Sequence, residues 1–408
     1  MTDVTISLKT LTPLWTGGVD QTCDRLHETG LIGSLRWWYE ALVRGLGGYA
    51  CDPTSDGRCK FDNKAYEKAK RAGPSSVVAV CEGTKAVCPA CYLFGCTGWA
   101  RLFRVRTLDV PITRLHFCTT LEMNKSWLER VFAGNSGAIA STWVPYGDVR
   151  VQFSTRSHDE PYTRGQFALA LRLATEYGGV GARLQHGFGQ VSLGLPSELP
   201  ADLPNEIQQL TKKFQELRSS GPETDTPFDL QHFVSLTYGV LATALSDFTK
   251  PKFVVGKPDS TISGSPQYLP CVFDLRYKGS GKWGMRQWLK QQGWRESDDP
   301  KKLEELDRLL GPRSQWGPKG HEKRIDESGR TGSRLFLGMP YREDPSGRKY
   351  TLRIWAFWDH HVAHRLPTPA ALGNLCKDYI SYVFGDAAEL QSVTSGREML
   401  SKIEGEIK

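Results

Sequence analysis

Four cysteines in the first quarter of the chain have the residue type and spacing of metal ligands. The motif Cys88-Pro-Ala-Cys91 separates two thiols by two residues, so both can reach one tetrahedral ion, and Cys51 and Cys59 form a second pair upstream. Zinc suits four thiolates. A structural role is expected, because a catalytic zinc keeps an open position and commonly uses His or carboxylate ligands. The sequence therefore predicts a structural zinc knuckle on Cys51, Cys59, Cys88 and Cys91.

Other interpretations of the ten cysteines stay open. Cys81 or Cys96 could replace a predicted ligand, and some of the cysteines could be uncoordinated core residues. A redox CxxC would stand at the start of a helix after a thioredoxin-type strand, which the sequence does not indicate. A disulfide framework suits short secreted chains. The N-terminus lacks the basic start and apolar core of a signal peptide, so we expect a cytoplasmic protein.

A glycine-rich segment offers a second kind of chemistry. Residues 178–189 hold five glycines, which allow the backbone to approach a ligand and present N–H groups to phosphate oxygens. Arg183 and His186 add charge and hydrogen-bonding groups. The segment lacks the Gly-Lys-Ser or Gly-Lys-Thr ending of a P-loop and leads into a strand. The alternative is a tight turn between a helix and a strand.

Charge and aromatic content favour a single-stranded nucleic acid among polyanionic partners. The formal net charge is +7, and aromatic residues alternate with basic ones, for example at Arg36-Trp37-Trp38 and Lys282-Trp283. We assign Arg36, Arg44 and Arg183 as solvent-facing ligands of a nucleic acid and leave the rings unassigned, because most tryptophans belong in a core. The group Asp359-His360-His361 with His364 is more typical of surface hydrogen bonding than of a metal or general-base site. No apolar run is long enough to span a membrane.

The elements that carry these residues have a recognisable order. Alternating residues predict strands from Thr5 to Pro13, over 101–110 and over 149–154. Helical periodicity starts at Ser34, with Leu35, Trp38, Tyr39 and Leu42 on one face, and a second helix covers 162–177. Together with a strand at Val191, this is the βαββαβ order of a ferredoxin-like or RNA-recognition-type unit. It spans residues 1–195, with a cysteine-rich insertion at about 50–100.

The remaining sequence predicts a linker and a second α+β unit. Residues 196–227 read as a linker with one helix-prone stretch, 206–217. Residues 228–408 contain a strand from Phe233, helices over 283–292, 301–310 and 369–383, and a strand over 350–358. The basic, Gly- and Ser-rich interval 311–334 is expected to be a mobile loop. The predicted fold class is α+β, with tandem ferredoxin-like (RRM-like) domains.

Several motifs together resemble the RAMP superfamily of CRISPR proteins. They are the segments 11–18 (LTPLWTGG), 33–45 (GSLRWWYEALVRG), 88–99 (CPACYLFGCTGW) and 179–189 (GVGARLQHGFG). Within that superfamily the helix and the CPACYLFGCTGW run are similar to the first subunit of the type III-B (Cmr) effector complex. The similarity covers residues 5–191 well. In the second half it extends weakly to Arg334-Leu-Phe-Leu-Gly-Met-Pro and Arg353-Ile-Trp-Ala.

The resemblance implies a subunit that binds RNA without cutting it. Such subunits assemble with other Cmr subunits around a guide RNA, hold its 3′ part and help to capture target RNA. The expected RNA ligands are Arg36, Arg44, Gly181, Arg183, His186, Gly187 and Gly189. A rival is a metal-independent endoribonuclease of RAMP fold that processes CRISPR RNA with His27 or His186 as general acid or base. A third possibility is an architectural module held together by zinc.

Overall fold

The chain folds into a mixed α+β structure whose sheets are antiparallel, so the predicted fold class is confirmed at that level. This is a computed structural model. It describes residues 3–17, 23–73, 75–118, 139–156, 160–193, 203–221, 228–248, 252–255, 267–276, 282–297, 303–312, 315–316, 322–323, 332–344 and 346–405. In these segments no helix has both the length and the apolar surface that a bilayer crossing requires.

The N-terminal half, residues 3–193, is built on one four-stranded sheet in the order β2-β5-β1-β6. Its strands are β1 (Asp3–Thr10), β2 (Phe103–Asp109), β5 (Asp148–Thr155) and β6 (Val191–Leu193). Alternate residues of β1, such as Ile6 and Leu8, are buried while their neighbours are less so. Period-2 burial of this kind leaves one face of the sheet for helices to cover.

The helices of this half lie between those strands in sequence. They are α1 (Glu28–Gly45), α2 (Asn63–Arg71), α3 (Ser76–Thr84), α4 (Pro89–Phe94) and α5 (Glu160–Tyr177). In α1 the side chains of Leu31, Leu35, Trp38 and Leu42 are buried at three- and four-residue spacing. The sequence places the start of this helix at Ser34. The structure starts it six residues earlier, because the N-terminal turn also packs its Leu31 into the core.

A second sheet joins the two halves of the chain. Strands β3 (Ile112–Cys118) and β4 (Ile139–Pro145) form a hairpin that pairs with β8 (Lys252–Val255) and β9 (Gln267–Pro270), in the order β4-β3-β8-β9. This hairpin was not predicted from the sequence. The predicted boundaries at 195 and 227 stay a prediction, since strands from both sides of the linker share this sheet.

The C-terminal half, residues 228–405, has a sheet in the order β12-β13-β7-β14. Its strands are β7 (Phe233–Leu241), β12 (Leu335–Leu337), β13 (Lys349–Phe357) and β14 (Ala388–Ser395). A short pairing joins β10 (Gln315–Trp316) to β11 (Glu322–Lys323). Its helices are α7 (Ala242–Phe248), α8 (Phe273–Arg276), α9 (Met285–Gln291), α10 (Glu305–Leu310), α11 (Pro369–Phe384) and α12 (Gly396–Gly405).

Most predicted elements of the C-terminal half are present. The strands from Phe233 and over 350–358 correspond to β7 and β13, and the helices over 283–292 and 369–383 correspond to α9 and α11. The charged helix predicted over 301–310 is shorter and begins at Glu305. The loop predicted over 311–334 lies mostly outside the described residues.

The two halves are packed against each other through aromatic side chains. On α1, the ring of Trp38 is centred 5.7 Å from Phe233 and 6.1 Å from Phe357, both in the C-terminal half. The helix in the predicted linker, α6 (Leu203–Glu216), buries Ile207 and Leu210 in the same core. A groove that lies between the two halves is therefore bounded on both sides by packed helices and strands.

Candidate functional site

The four predicted metal ligands lie at one point beside α1 and α4. Cys88 is the N-cap of α4, and its Sγ accepts a hydrogen bond of 3.5 Å from the Cys91 N–H. Cys59 Sγ accepts a hydrogen bond of 3.3 Å from the Cys88 N–H. Cys51 completes the group, and all four side chains are buried. We call these four residues the cysteine quartet.

The quartet has the dimensions of a tetrahedral thiolate site. Its Sγ atoms all lie within 4.8 Å of one another, with 3.4 Å between Cys51 and Cys91 and 3.9 Å between Cys51 and Cys88. Four sulfur atoms at about 2.3 Å from one zinc ion lie about 3.8 Å apart. The quartet could therefore hold a metal ion. Of the two substitutes that the sequence left open, Cys81 is exposed, Cys96 is half-buried, and neither belongs to the group.

The rival interpretations of these cysteines fit less well. None of the described cysteines forms a disulfide. Cys88 and Cys91 do open a short helix, as a redox pair would, but the preceding element is helix α3 rather than a strand. Two further thiols also lie within contact distance, which a dithiol redox centre does not need.

Two arginines complement the charge of the quartet. The Arg36 guanidinium donates to Cys91 Sγ at 3.0 Å, to the Gly95 carbonyl at 2.8 Å and to Glu40 at 2.7 Å. Burial alone would lower the pKa of Arg36, but Cys91 and Glu40 raise it above its ordinary value. Arg218 also reaches Cys59 Sγ, at 3.8 Å. Donors of this kind orient metal ligands and offset thiolate charge.

The prediction that Arg36 and Arg44 face solvent is wrong. Their side chains are only 17% and 13% exposed. Arg44 donates to the Phe228 carbonyl at 2.9 Å and to the Ala50 carbonyl at 3.1 Å. Sequence periodicity placed both arginines off the apolar face of α1, but the insertion and the C-terminal half cover that side of the helix. A contact between either arginine and RNA stays a prediction.

The glycines of the 178–189 segment are explained mainly by protein packing. A Cβ on Gly187, whose φ is +85°, would lie 2.4 Å from the backbone nitrogen of Met339 in the C-terminal half. A Cβ on Gly181 would lie 2.5 Å from the Trp15 carbonyl oxygen. Gly189 is buried in the same way, against the Val180 carbonyl. The turn that the sequence offered as an alternative is therefore real, and it holds the two halves together.

Arg183 is the exception in this segment. It adopts a left-handed backbone conformation with φ +62°, which among the described non-glycine residues is seen here alone. Its guanidinium carbon lies 4.6 Å from the centre of the buried Trp15 ring, in a cation–π contact. A residue whose backbone is held in a sparsely populated conformation often has a functional role.

The two histidines of the rival enzyme hypothesis have different surroundings. His186 is buried, and burial together with nearby Arg276 and Arg183 holds its pKa well below the ordinary value. His27 lies before α1 with its Nε2 2.8 Å from Asp24 Oδ1. Neither histidine is among the described residues that line the cleft between the two halves of the chain.

A cleft of about 510 Å³ opens between the two halves, beside the N-terminal part of α1. It is lined by Thr16, Gly17, Gly30, Gly33, Ser34, Trp37, Trp38, Gly181, Ala182, Arg183, Leu184, Gln185, Phe228, Gly332, Ser333 and Phe336. Trp37 packs against Phe228 and Phe336, with ring centres 4.8 and 6.3 Å away. Ser34 Oγ accepts from the Gly181 N–H at 2.7 Å. The lining thus combines aromatic rings with polar groups and one cation.

The cleft includes only part of the predicted RNA surface. Gly181 and Arg183 line it, whereas the other predicted ligands do not. Sequence reasoning missed Trp37, Phe228 and Phe336. A signal existed for Trp37, because it lies off the face formed by Leu35, Trp38, Tyr39 and Leu42. The two phenylalanines gave none, since they reach the cleft only through the packing of the C-terminal half.

The cluster at Asp359, His360 and His361 has its carboxylate already engaged. Asp359 Oδ2 lies 2.7 Å from Arg334 Nε, and Oδ1 accepts from the His361 N–H at 2.9 Å. His364 instead pairs with Glu305 at 2.8 Å. These contacts are hydrogen bonds and ion pairs, and the ligand atoms of Asp359, His360 and His361 also lie within 4.8 Å of one another, as a metal site would require.

Solved structures similar to the chain include Cmr1 and chains of a type III-B Cmr-beta complex. Cmr1 from Pyrococcus furiosus, in its apo form, is 16% identical, with 88% of each chain covered and a TM-score of 0.39. Two Cmr-beta complexes bound to cognate target RNA, one also with AMPPnP and ssDNA, contain chains that are 11% and 10% identical. They cover 93% of this chain and 99% and 100% of those chains, with TM-scores of 0.36 and 0.35. No protein with a curated description matches the sequence.

A comparison with protein families gives a match for the N-terminal half. The profile of the RAMP superfamily matches residues 7–192. That interval runs from within β1 to within β6 and includes the cysteine quartet, α1 and the 178–189 segment. The resemblance that the motifs predicted is thus confirmed over residues 7–192, which match the RAMP superfamily.

Proposed function

We propose that the chain is a non-catalytic RNA-binding subunit of a type III-B CRISPR effector complex. It would assemble with other Cmr subunits and contact the 3′ part of the guide RNA, target RNA or both. The observation that carries this proposal is the cleft between the halves, where Trp37 and Arg183 lie on one surface. Aromatic faces and cations are the groups that hold single-stranded RNA without reading its sequence.

The cleft suits a nucleobase and its phosphate. Trp37, Phe228 and Phe336 supply flat apolar surface. Arg183 supplies the charge, and the side chains of Ser34 and Gln185 supply hydrogen-bonding groups. In this arrangement the protein recognises backbone and base faces, so sequence is read by pairing between guide and target.

The proposal includes tandem ferredoxin-like domains. In the N-terminal half, β1, α1, β2, β5, α5 and β6 follow the βαββαβ order, and the sheet order β2-β5-β1-β6 supports it. The sheet β12-β13-β7-β14 repeats that arrangement, with the first strand between the third and the fourth. We keep the domains at 1–195 and 228–408, joined by 196–227, and a cytoplasmic location.

Zinc is the metal proposed for the cysteine quartet, in a structural role. Four buried thiols whose sulfur atoms all lie within 4.8 Å of one another fit that ion, and no position is left for water. When bound, zinc would supply a crosslink between the start and the end of the insertion. Arg36 and Arg218 would stabilise Cys91 and Cys59 as thiolates.

The non-catalytic assignment rests on the histidines. Burial keeps His186 neutral, and it does not line the cleft, so it is a poor acid or base for bound RNA. Discrete cleavage of RNA that is lost in His27→Ala or His186→Ala would nevertheless establish the endoribonuclease.

The test is a fluorescence anisotropy titration of labelled single-stranded RNA across salt concentrations, with a denaturing gel of the same samples. Arg183→Gln should weaken binding and reduce the salt slope by about 0.7, the contribution of one phosphate contact on a single strand. Arg397→Gln, an exposed arginine outside the cleft, is the matched control and should leave both unchanged. Equal affinity and slope for wild type and Arg183→Gln would contradict the proposed cleft.

A further inference from the structure

The segment between the two pairs of quartet cysteines is a helical hairpin in its described residues, 60–73 and 75–87, and we call it the finger. Cys59 precedes it and Cys88 follows it. Helices α2 and α3 run along its length. Its base is fixed by the Phe61 N–H, which donates to the Thr97 carbonyl at 2.9 Å, and by the Asp62 N–H, which donates to the Gly83 carbonyl at 3.1 Å. The quartet therefore anchors both ends of the finger at one point.

Helix α2 contributes little to the core of the protein. None of its residues is buried, so apolar packing does not explain its sequence. Four of its nine residues are cationic, against one carboxylate at Glu67, and all four cations are exposed: Lys64, Lys68, Lys70 and Arg71.

Three of these cations form a stripe along the helix. Lys64, Lys68 and Arg71 are spaced by four and three residues, which places them on one side of an α-helix. Like charges at this spacing repel, and Glu67, three residues after Lys64 and four before Arg71, offsets only one of the three. A polyanion lying along the stripe would remove the remaining repulsion.

The stripe is not neutralised by the rest of the described chain. Elsewhere in the finger, Lys85 pairs with Glu82 at 2.6 Å. Among the described residues, by contrast, no carboxylate lies within 4.0 Å of the charged atoms of Lys64, Lys68 or Arg71. These three charges are directed to solvent and remain available to a partner.

The composition of the stripe favours nucleic acid over protein. Cores of protein interfaces are enriched in aromatic residues, Met and Arg and are depleted in Lys, whereas phosphate contacts are made by Lys and Arg. The stripe has two lysines and one arginine. Phosphates of a single strand are therefore the better fit.

We propose that Lys64, Lys68 and Arg71 of the finger form a second RNA-binding surface, separate from the cleft, that contacts the phosphates of longer single-stranded RNA. The identification of RNA as the polyanion rests on the function proposed above. Helix α1 connects the two places, because Arg36 contacts Cys91 Sγ at the base of the finger while the adjacent Trp37 lines the cleft.

The experiment compares two labelled RNAs, one of roughly 4 and one of roughly 16 nucleotides, which bracket the lengths held by one single-strand-binding module. The test variant is Lys64→Gln/Lys68→Gln/Arg71→Gln. The control is Lys9→Gln/Lys212→Gln/Arg397→Gln, which removes the same charges from exposed positions outside the finger and the cleft. Lys64→Arg/Lys68→Arg/Arg71→Lys keeps the charge. Each variant is checked for wild-type helical content by circular dichroism and for wild-type zinc content.

The test variant should bind the longer RNA about tenfold more weakly, and its salt slope should fall by about 2, since three phosphate contacts on a single strand contribute about 0.7 each. Its affinity for the shorter RNA should be unchanged, and both control variants should match wild type. A test variant with wild-type affinity and slope for the longer RNA would overturn the proposal, and an acidic protein surface would become the candidate partner.

The two proposals fail in different ways. If Arg183→Gln weakens binding of the shorter RNA while the finger variant binds both RNAs like wild type, the cleft proposal is supported and the finger proposal is wrong. If the finger variant weakens binding of the longer RNA while Arg183→Gln binds both RNAs like wild type, the finger proposal is supported and the cleft proposal is wrong. Wild-type protein that binds neither RNA would contradict both.

Discussion

Two adjacent residues of α1 lead to two very different regions. Arg36 points to the cysteine quartet, where Glu40, the Gly95 carbonyl and Cys91 Sγ satisfy its donors. Trp37 lines the cleft, where its ring is only half-buried. The first region is closed on itself and stabilises the fold, whereas the second retains groups that can bind a ligand. A basic residue beside an aromatic one therefore does not identify which of the two binds RNA.

The largest effect is expected from substitutions in the cysteine quartet. Cys88→Ser/Cys91→Ser should abolish zinc binding and lower the melting temperature strongly, because structural zinc contributes about 10–16 kcal/mol of binding free energy in zinc-finger peptides. Metal analysis and thermal unfolding measure both effects. Cys271→Ser, a buried cysteine outside the quartet, should keep the metal. Wild-type protein purified without metal would remove the zinc site from the account.

Arg36→Gln should be the next most damaging change. Removing one partner of a buried ion pair typically costs about 3–5 kcal/mol, since the other charge stays buried. Burial already raises the pKa of Glu40, and Arg36 and Arg44 oppose that rise. Without Arg36 the folded-state pKa of Glu40 would rise further, so stability should be lost as pH rises and partly regained in acid.

Thermal unfolding at acidic and neutral pH measures this prediction. A melting temperature equal to wild type at both pH values, together with weaker RNA binding, would contradict the closed arrangement. It would restore the expectation that Arg36 faces RNA.

Gly187→Ala should weaken the contact between the halves. The new Cβ would lie 2.4 Å from the Met339 backbone, at a φ of +85° that side chains rarely adopt. Left-handed strain and overpacking together predict a loss of about 2–4 kcal/mol. Gly33→Ala is the control for unfolding, because a Cβ there meets no atom within 4 Å and the site is helical. Equal stability of both variants would show that this contact is unimportant.

The smallest effect is expected for the cysteines outside the quartet. Cys81→Ser and Cys96→Ser should each keep the zinc content of wild type, because neither Sγ belongs to the four-sulfur group. Metal analysis of the purified variants is sufficient. Loss of zinc in Cys96→Ser would mean that this half-buried thiol replaces one of the proposed ligands.

The sequence predicted features that depend on local spacing. Cys88 and Cys91 are two residues apart, and their convergence with Cys51 and Cys59 follows from the closure of one insertion. Most of the longer strands and helices outside the insertion were also predicted, since periodic burial is encoded locally, whereas the β3–β4 hairpin was not. The six N-terminal residues of α1 were missed because that turn is stabilised by packing of Leu31 rather than by a longer periodic pattern.

Features that depend on distant parts of the chain could not be predicted in the same way. The orientation of Arg44 is set by the Phe228 carbonyl, 184 residues away in sequence. Phe336 reaches the cleft only after β12 pairs with β13. Gly187 suggested a ligand in the sequence, but its close neighbour is the backbone of Met339. In each case the contacting residue is far away in the sequence, so the local pattern could not reveal it.

The central claim is that the cleft binds RNA, and replacement of its aromatic floor tests it most directly. Trp37→Leu keeps an apolar side chain against Phe357 but removes the flat ring, and Trp283→Leu makes the same change at an exposed tryptophan outside the cleft. In an anisotropy titration with single-stranded RNA, Trp37→Leu should weaken binding by about 1–3 kcal/mol with an unchanged salt slope. Trp283→Leu should bind like wild type. Equal affinities for Trp37→Leu and wild type would contradict the account.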